Sequence, residues 1–342
     1  MFVTRRFLTS TLSFTLSLLF ALLTQGVWAA ASELGWPGDL HVVTGPKGGQ
    51  WFTIGEAMGK IFTANGIPTR SFIGGGTDNL KLVGDEKADI AFTFYSILGE
   101  NEIRTGKKYT EDGKAILWAK LYPQVLYVVV KKDIGERLGL FSLKDILTAG
   151  EGFRVAFPSR GSGSEFLLNQ LLRYGYRTDY QQLQNRGWAI SFQNHAETQR
   201  LFQAGEIDAC IYTSGPGNGQ IPTLMENDPT GRLLSIDAGA LEIMSQRFYT
   251  FTYTFRPDDH RNLTKEVDTL GDYSCLVANS SLPDELLYRI SELIWTNREQ
   301  LTRVADDLKY LNPKLAVAGN CQIHPGALSF WNTLSSEGVG VN

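Results

Sequence analysis

The residues best placed to do chemistry are the small hydroxyls and glycines of Gly161-Ser162-Gly163-Ser164, followed at once by Glu165. They lie between an apolar run (Phe153, Val155, Ala156, Phe157) and a helical stripe (Phe166, Leu167, Leu168, Leu171, Leu172). Strand, glycine–serine turn and amphipathic helix together aim backbone N–H groups at a ligand. The first turn of a helix has donors with no intrahelical partner, and its positive dipole end favours a carboxylate or phosphate. Ser162, Gly163 and Ser164 are therefore read as anion-binding residues. The plain alternative is a well-capped turn that binds nothing, with Ser162 or Ser164 as the cap. Glu165 either accepts from a ligand ammonium or, as a first-turn acid, stabilises its own helix. Arg160 is either a cation for the same anion or a solvated surface side chain.

The elements that position this turn occur twice. In the first copy, strand Leu40–Val43 leads through Thr44-Gly45-Pro46-Lys47-Gly48-Gly49 into a helix with Ile54, Ala57, Met58, Ile61 and Phe62 buried. Strand Thr69–Ile73 follows, broken by Gly74-Gly75-Gly76-Thr77, then a short helix and strand Ala88–Phe94. In the second copy, strand Arg154–Phe157 is followed by helix Glu165–Tyr174, strand Trp188–Phe192, helix Glu197–Ala204 and closing strand Asp208–Tyr212. Two βαβαβ units of similar length imply two parallel-sheet domains. Ligands in such sheets sit beyond the carboxyl ends of the strands. Two domains facing each other thus make one cleft, with Thr77 and Asn79 supplied by the first and Thr213 and Ser214 by the second. An asparagine that merely stabilises its turn is the competing reading of Asn79. Trp51 and Phe52 are either an apolar lid or core at a helix start.

Two strands are expected to connect the domains. Tyr122–Val130 reads as the outward crossing and the alternating run Phe248–Phe255 as the return. Domain 1 is then residues 38–124 plus 252–342, and domain 2 is residues 125–251. Pro283–Leu301 reads as one amphipathic helix packed on domain 1.

Composition narrows the function classes. Arg5 and Arg6 precede an apolar, Ser/Thr-diluted run and the small residues Ala29-Ala30-Ala31, the order of a cleaved secretory signal over residues 1–31. The paired arginine also hints at twin-arginine export, and the choice between routes stays open. Loss of that leader takes the formal net charge from −4 to about −6. With no basic run, nucleic-acid binding is not expected. Cys210, Cys275 and Cys321 have no metal or redox spacing, and Cys210 reads as a buried small hydrophobe. The pairing of Cys275 and Cys321 is open. The four histidines are scattered, so neither a metal site nor a cofactor is expected; His324 reads as part of a structural turn before Pro325.

The ordered motifs resemble the substrate-binding receptors of TRAP transporters, in the TAXI branch, over about His41 to Trp331. They are Gly48-Gly49-Gln50-Trp51-Phe52-Thr53-Ile54-Gly55, Gly74-Gly75-Gly76-Thr77-Asp78-Asn79-Leu80 and Gly161-Ser162-Gly163-Ser164-Glu165. Ile207-Asp208-Ala209 with Ser214-Gly215-Pro216, and His324-Pro325-Gly326-Ala327, complete the set. The resemblance implies an α/β fold of the type II periplasmic-binding-protein kind, with two domains joined by two hinge strands and the ligand cleft between them. It adds Gly49, Gln50, Gly76 and Gly215 to the expected site. It also implies a monomeric periplasmic receptor, without enzymatic activity, that delivers a small organic carboxylate such as glutamate, a dicarboxylate or a 2-oxo acid to TRAP membrane subunits. Three positions depart from that family's pattern. Trp51-Phe52 replaces a tyrosine pair, Gly76 replaces a serine, and Arg160 stands where a neutral residue is usual.

Two rival readings follow from the same residues. One is a binding protein that senses solute for a membrane partner without transport. The other is a secreted hydrolase built from Ser162, His195 and Asp208, although the turn lacks the nucleophile-elbow pattern.

Overall fold

The structure, a computed structural model, describes residues 36–99, 114–150, 152–216, 230–257, 259–260 and 263–336. The expected leader over residues 1–31 lies outside the described residues. Among these residues no helix is long and apolar enough to cross a membrane.

In the first lobe, β1 (Leu40–Val43) leads into α1 (Gln50–Ala64), β2 (Thr69–Phe72), α2 (Thr77–Gly84) and β3 (Ile90–Phe94). β1 pairs in parallel with both β2 and β3, so α1 and α2 are the crossovers that the pattern required. β4 (Ala115–Lys131) then runs 17 residues, and 15 of them are buried, because it has a core on both faces in both lobes. β5 (Arg154–Pro158), α3 (Gly163–Gln170), β6 (Ala189–Gln193), α4 (His195–Gln203) and β7 (Ala209–Ser214) form the second unit. Here β5 pairs in parallel with β6 and β7, and the two-copy organisation holds strand for strand. The expected single helix Glu165–Tyr174 is α3 continued by one π-helical segment, Leu171–Gly175.

The short strand β8 (Gly231–Leu233) pairs with β4, and β9 (Phe251–Phe255) pairs with the start of β10 (Val267–Asn279). These elements give one sheet in the order β2-β1-β3-β10-β4-β7-β5-β6. The aromatic–threonine run expected to return the chain is β9, and it does not cross. It pairs with Val267–Gly271, and Phe255 packs with Val125 and Tyr127 in the second lobe. The return is made by β10, whose Ser274–Ala278 pair with β3 in the first lobe. Between those two pairings, Asp272 and Tyr273 face only Gln124 and Pro123 of β4. The lobes therefore meet at a crossing two residue pairs long. Alternating aromatics marked a strand correctly, but an edge hairpin has the same period as a crossing strand.

One hydrophobic cluster joins β1, α1 and β3 to α5 (Asp284–Thr296) and α7 (Pro325–Ser336). The expected helix Pro283–Leu301 is two, α5 and α6 (Arg298–Val304), broken at Asn297. Asn297 turns its own side-chain amide onto the carbonyl of Leu293, a local bond that competes with continued helix. Separate clusters fill the second lobe on either side of β4, β5 and β7. Cys210, Cys275 and Cys321 are buried, and no disulfide joins them.

Candidate functional site

Three helices begin at one cavity of about 350 Å³ between the lobes. From the first lobe comes α1, whose cap residue Gly49 supplies no side-chain bond to the first-turn N–H groups. From the second lobe come α3, capped by Ser162 Oγ accepting from Glu165 N at 3.1 Å, and α4, capped by Asn194 Oδ1 accepting from Glu197 N at 2.9 Å. Gly49-Gln50-Trp51, Ser162-Gly163-Ser164 and Asn194-His195-Ala196 all line the cavity. Each start keeps first-turn donors that no intrahelical carbonyl can take, so three dipoles of one sign converge. Lys47 adds a cation at the rim, and no described lining residue is a carboxylate. The electrostatic preference is for an anion.

The lobes touch over this cavity. Gly75 and Gly76 lie against Gly161–Gly163, and a Cβ added at Gly76 would stand 2.8 Å from Gly163 Cα and 3.0 Å from Ser162 C. Gly163 in turn packs on the Phe94 ring, 3.0 Å from where its own Cβ would be. Two glycine loops meeting backbone to backbone leave no room for side chains.

The walls mix aromatic faces with small hydroxyls. Trp51 stacks on Phe92 and meets Phe94 edge-on, and its indole N–H donates to Ser274 Oγ at 2.6 Å. The Ser164 and Thr213 hydroxyls bond each other across the α3–β7 junction. Tyr212 Oη and Ser214 Oγ, on residues only 3% exposed, have no partner among the described residues. Buried polar atoms are almost always satisfied, and both residues belong to the cavity wall.

Behind the wall, Gln50 Nε2 donates to Asp307 Oδ2 at 2.9 Å. Asp307 is fully buried, its Oδ1 has no partner, and burial raises its pKa above the usual carboxylate value. Gly215 packs directly on that carboxyl group.

Of the expected site residues, Gly49, Gln50, Trp51, Ser162, Gly163, Ser164, Thr213 and Ser214 line the cavity together. Gly76 touches the opposite lobe beside it, and Gly215 lies on Asp307 below it. Phe52 and Thr77 are half-buried off the lining. Asn79 is fully buried and spent on backbone. Its Nδ2 donates to the carbonyls of Thr44 and Phe92 and its Oδ1 accepts from Gly75 N, so it shapes the glycine loop instead of facing a ligand. Arg160 lies over the Phe192 ring at 3.6 Å and pairs with Glu165, outside the lining. Glu165 also accepts from Gly161 N, so its carboxylate holds the turn and not a ligand ammonium.

Lys47, Phe94, Gln124, Gln193, Asn194, Gln199 and Tyr212 line the cavity without having been singled out as site residues, and His195, named only for the hydrolase reading, joins them. The repeat held the signal for Gln193–His195: it is the second strand-to-helix junction of its unit, matching Gly74–Thr77 of the first. The hydrolase arrangement does not form. Asp208 precedes β7 and is tied to Arg154 at the start of β5, whereas Ser162 and His195 stand at the carboxyl ends. A six-residue strand separates the two by roughly 20 Å. His324 is buried with Nε2 against the Leu282 carbonyl, as expected of a structural turn, and no group of potential metal ligands occurs among the described residues.

A profile of the NMT1-like family matches residues 42–332. Among solved structures, PhnD1 from Prochlorococcus marinus in complex with methylphosphonate is 13% identical, with 87% of this chain and 98% of that chain covered and a TM-score of 0.49. A structure described as a periplasmic transporter is 11% identical, with 88% and 94% covered and a TM-score of 0.48.

Proposed function

Because this chain belongs to the NMT1-like family, we propose that it is a periplasmic solute-binding receptor that closes over a small organic carboxylate and passes it to the membrane subunits of a TRAP transporter. The observation that carries this reading is the convergence of three helix starts on one interlobe cavity whose lining holds no carboxylate among the described residues. A carboxylate takes donors from the first turns of α1, α3 and α4, while Trp51, Phe94 and Tyr212 cover its carbon skeleton. We take the domains to divide within β4 and β10, at the Gln124–Asp272 and Pro123–Tyr273 pairs. Rotation there would open the cleft by parting Gly76 from Gly163. Exchange of a hydrated anion for buried, charge-assisted hydrogen bonds would then provide tightness. The export leader would place the receptor in the periplasm, where we take it to act as a monomer without enzymatic activity.

Thermal unfolding of the mature protein against amino acids, dicarboxylates, 2-oxo acids and neutral sugars tests the reading. A ligand of the folded form raises the midpoint by mass action, and a carboxylate class is expected to do so. Stabilisation by sugars alone would contradict it. Ser164→Ala should weaken binding of the responding carboxylate by about 1–3 kcal/mol, because the carboxylate loses a hydroxyl donor in the cavity wall. Calorimetric titration with an unchanged constant in a folded variant would remove Ser164 from the site.

A further inference from the structure

Most polar groups in the cavity adapt to whatever binds. Serine, threonine and tyrosine hydroxyls rotate and serve as donor or acceptor. Two amides are fixed. Asn194 spends its oxygen on Glu197 N, which leaves its NH₂ edge as a donor toward the anion. Gln50 is fixed the opposite way. Its NH₂ edge is spent on Asp307 Oδ2, and a carboxylate can only accept, so the carbonyl edge is the one left for the cavity. Asp307 is not among the lining residues, and among the described residues no other side chain donates to it, so nothing else there competes for the amide's orientation. Packing of Gly215 on the Asp307 carboxyl group holds that acid in place when the lobes are closed.

Resting on the carboxylate-receptor reading, we infer that the solute bears, besides its anionic group, a hydrogen-bond donor that Gln50 Oε1 accepts, and that Asp307 is the positioning residue that imposes this choice. A hydroxyl or an ammonium satisfies Gln50. A bare methylene leaves its carbonyl unpaired, and a ketone sets oxygen against oxygen. Sites built to bond a donor reject analogues that lack it far more strongly than apolar pockets reject an extra group. The inference therefore favours amino or hydroxy acids over unsubstituted dicarboxylates and 2-oxo acids.

The test is calorimetric titration of the mature protein with two matched sets. One set is aspartate, malate and succinate; the other is glutamate, 2-hydroxyglutarate, glutarate and 2-oxoglutarate. In the set that fits, the amino or the hydroxy member should bind at least about tenfold tighter than the unsubstituted member, and which of the two wins identifies the donor. Gln50→Leu should shrink that preference to less than about threefold by removing the acceptor. Asp307→Asn, a change outside the cavity wall, should shrink it as well, because an asparagine amide can turn Gln50 round. Equal or tighter binding of the unsubstituted or 2-oxo member overturns the inference while the carboxylate reading stands. An undiminished preference in both variants also overturns it. Binding of neutral sugars with no response to any acid overturns both.

Discussion

A methyl group at position 76 is expected to weaken solute binding by about two orders of magnitude while leaving the unliganded protein as stable as before. Gly76 has φ −156°, outside the left-handed region, so its own loop does not demand glycine. The demand comes from across the cleft. In the closed state an alanine Cβ would lie 2.8 Å from Gly163 Cα and 3.0 Å from Ser162 C, both backbone atoms at the start of a helix. Flexible side chains can step aside from such an approach; a helix start cannot. The lobes would have to part instead, and if the closed form falls to about one molecule in a hundred, apparent affinity falls by the same factor. Calorimetric titration of Gly76→Ala beside a thermal melt without ligand separates closure from folding. An unchanged binding constant would mean that the two glycine loops do not meet in the bound form. A lowered melting point without ligand would mean that Gly76 serves its own lobe.

The second large effect is a stability that depends on Asp272. This residue is fully buried at the crossing between lobes. Its Oδ1 accepts from Ser96 N at 3.1 Å and Tyr273 N at 2.7 Å, while Oδ2 has no partner. Burial is the largest cause that lifts its pKa from 3.8 to about 6; the Ser96 and Tyr273 bonds and the nearby Lys120 work against the rise. The folded state thus holds this proton more tightly than the unfolded chain does. Stability from this group is fully present below about pH 4 and is lost as pH rises through 6, by roughly 3 kcal/mol for a shift of this size. Asp272→Asn keeps the shape and one acceptor but cannot ionise. It should exceed the parent in stability at pH 7.5 by about 1–3 kcal/mol and match it near pH 4. Denaturant melts at the two values decide the matter. An offset equal at both, or a less stable variant at pH 7.5, would show that the ionised carboxylate is compensated in the fold.

Much of this architecture was legible in the residues. Apolar runs ending in Gly45, Gly74 and Gly161 marked strand-to-helix junctions, and their recurrence in two units placed two sets of strand ends face to face. Of the expected site residues, eight line the cavity together; Gly49 and Gln50 among them came from the family resemblance and not from the junctions. What local sequence could not supply was direction across the fold. Asn79 and Arg160 look like ligand groups by type and position, yet Asn79 is drawn inward by the Thr44 and Phe92 carbonyls, and Arg160 is drawn outward onto Phe192. Asp307 lies 257 residues from Gln50, and no spacing rule connects them. The return crossing was misplaced for a related reason. Phe251–Phe255 and Val267–Asn279 are both regular strands, and only their partners show which one spans the lobes.

The unbroken length of β4 also bears on how the molecule comes apart. Trp118, Leu121 and Tyr122 are core to one lobe, and Val125, Leu126, Val128 and Val130 to the other, on a single strand with only Pro123 and Gln124 between. Neither lobe can melt without stripping partners from half of a strand the other still needs. Scanning calorimetry should accordingly record one endotherm whose van't Hoff and calorimetric enthalpies agree, as for a much smaller single-core protein. Two-lobed mobility in the native state and all-or-none loss of that state then coexist, because twisting a shared ribbon leaves its hydrogen bonds intact and unravelling it does not.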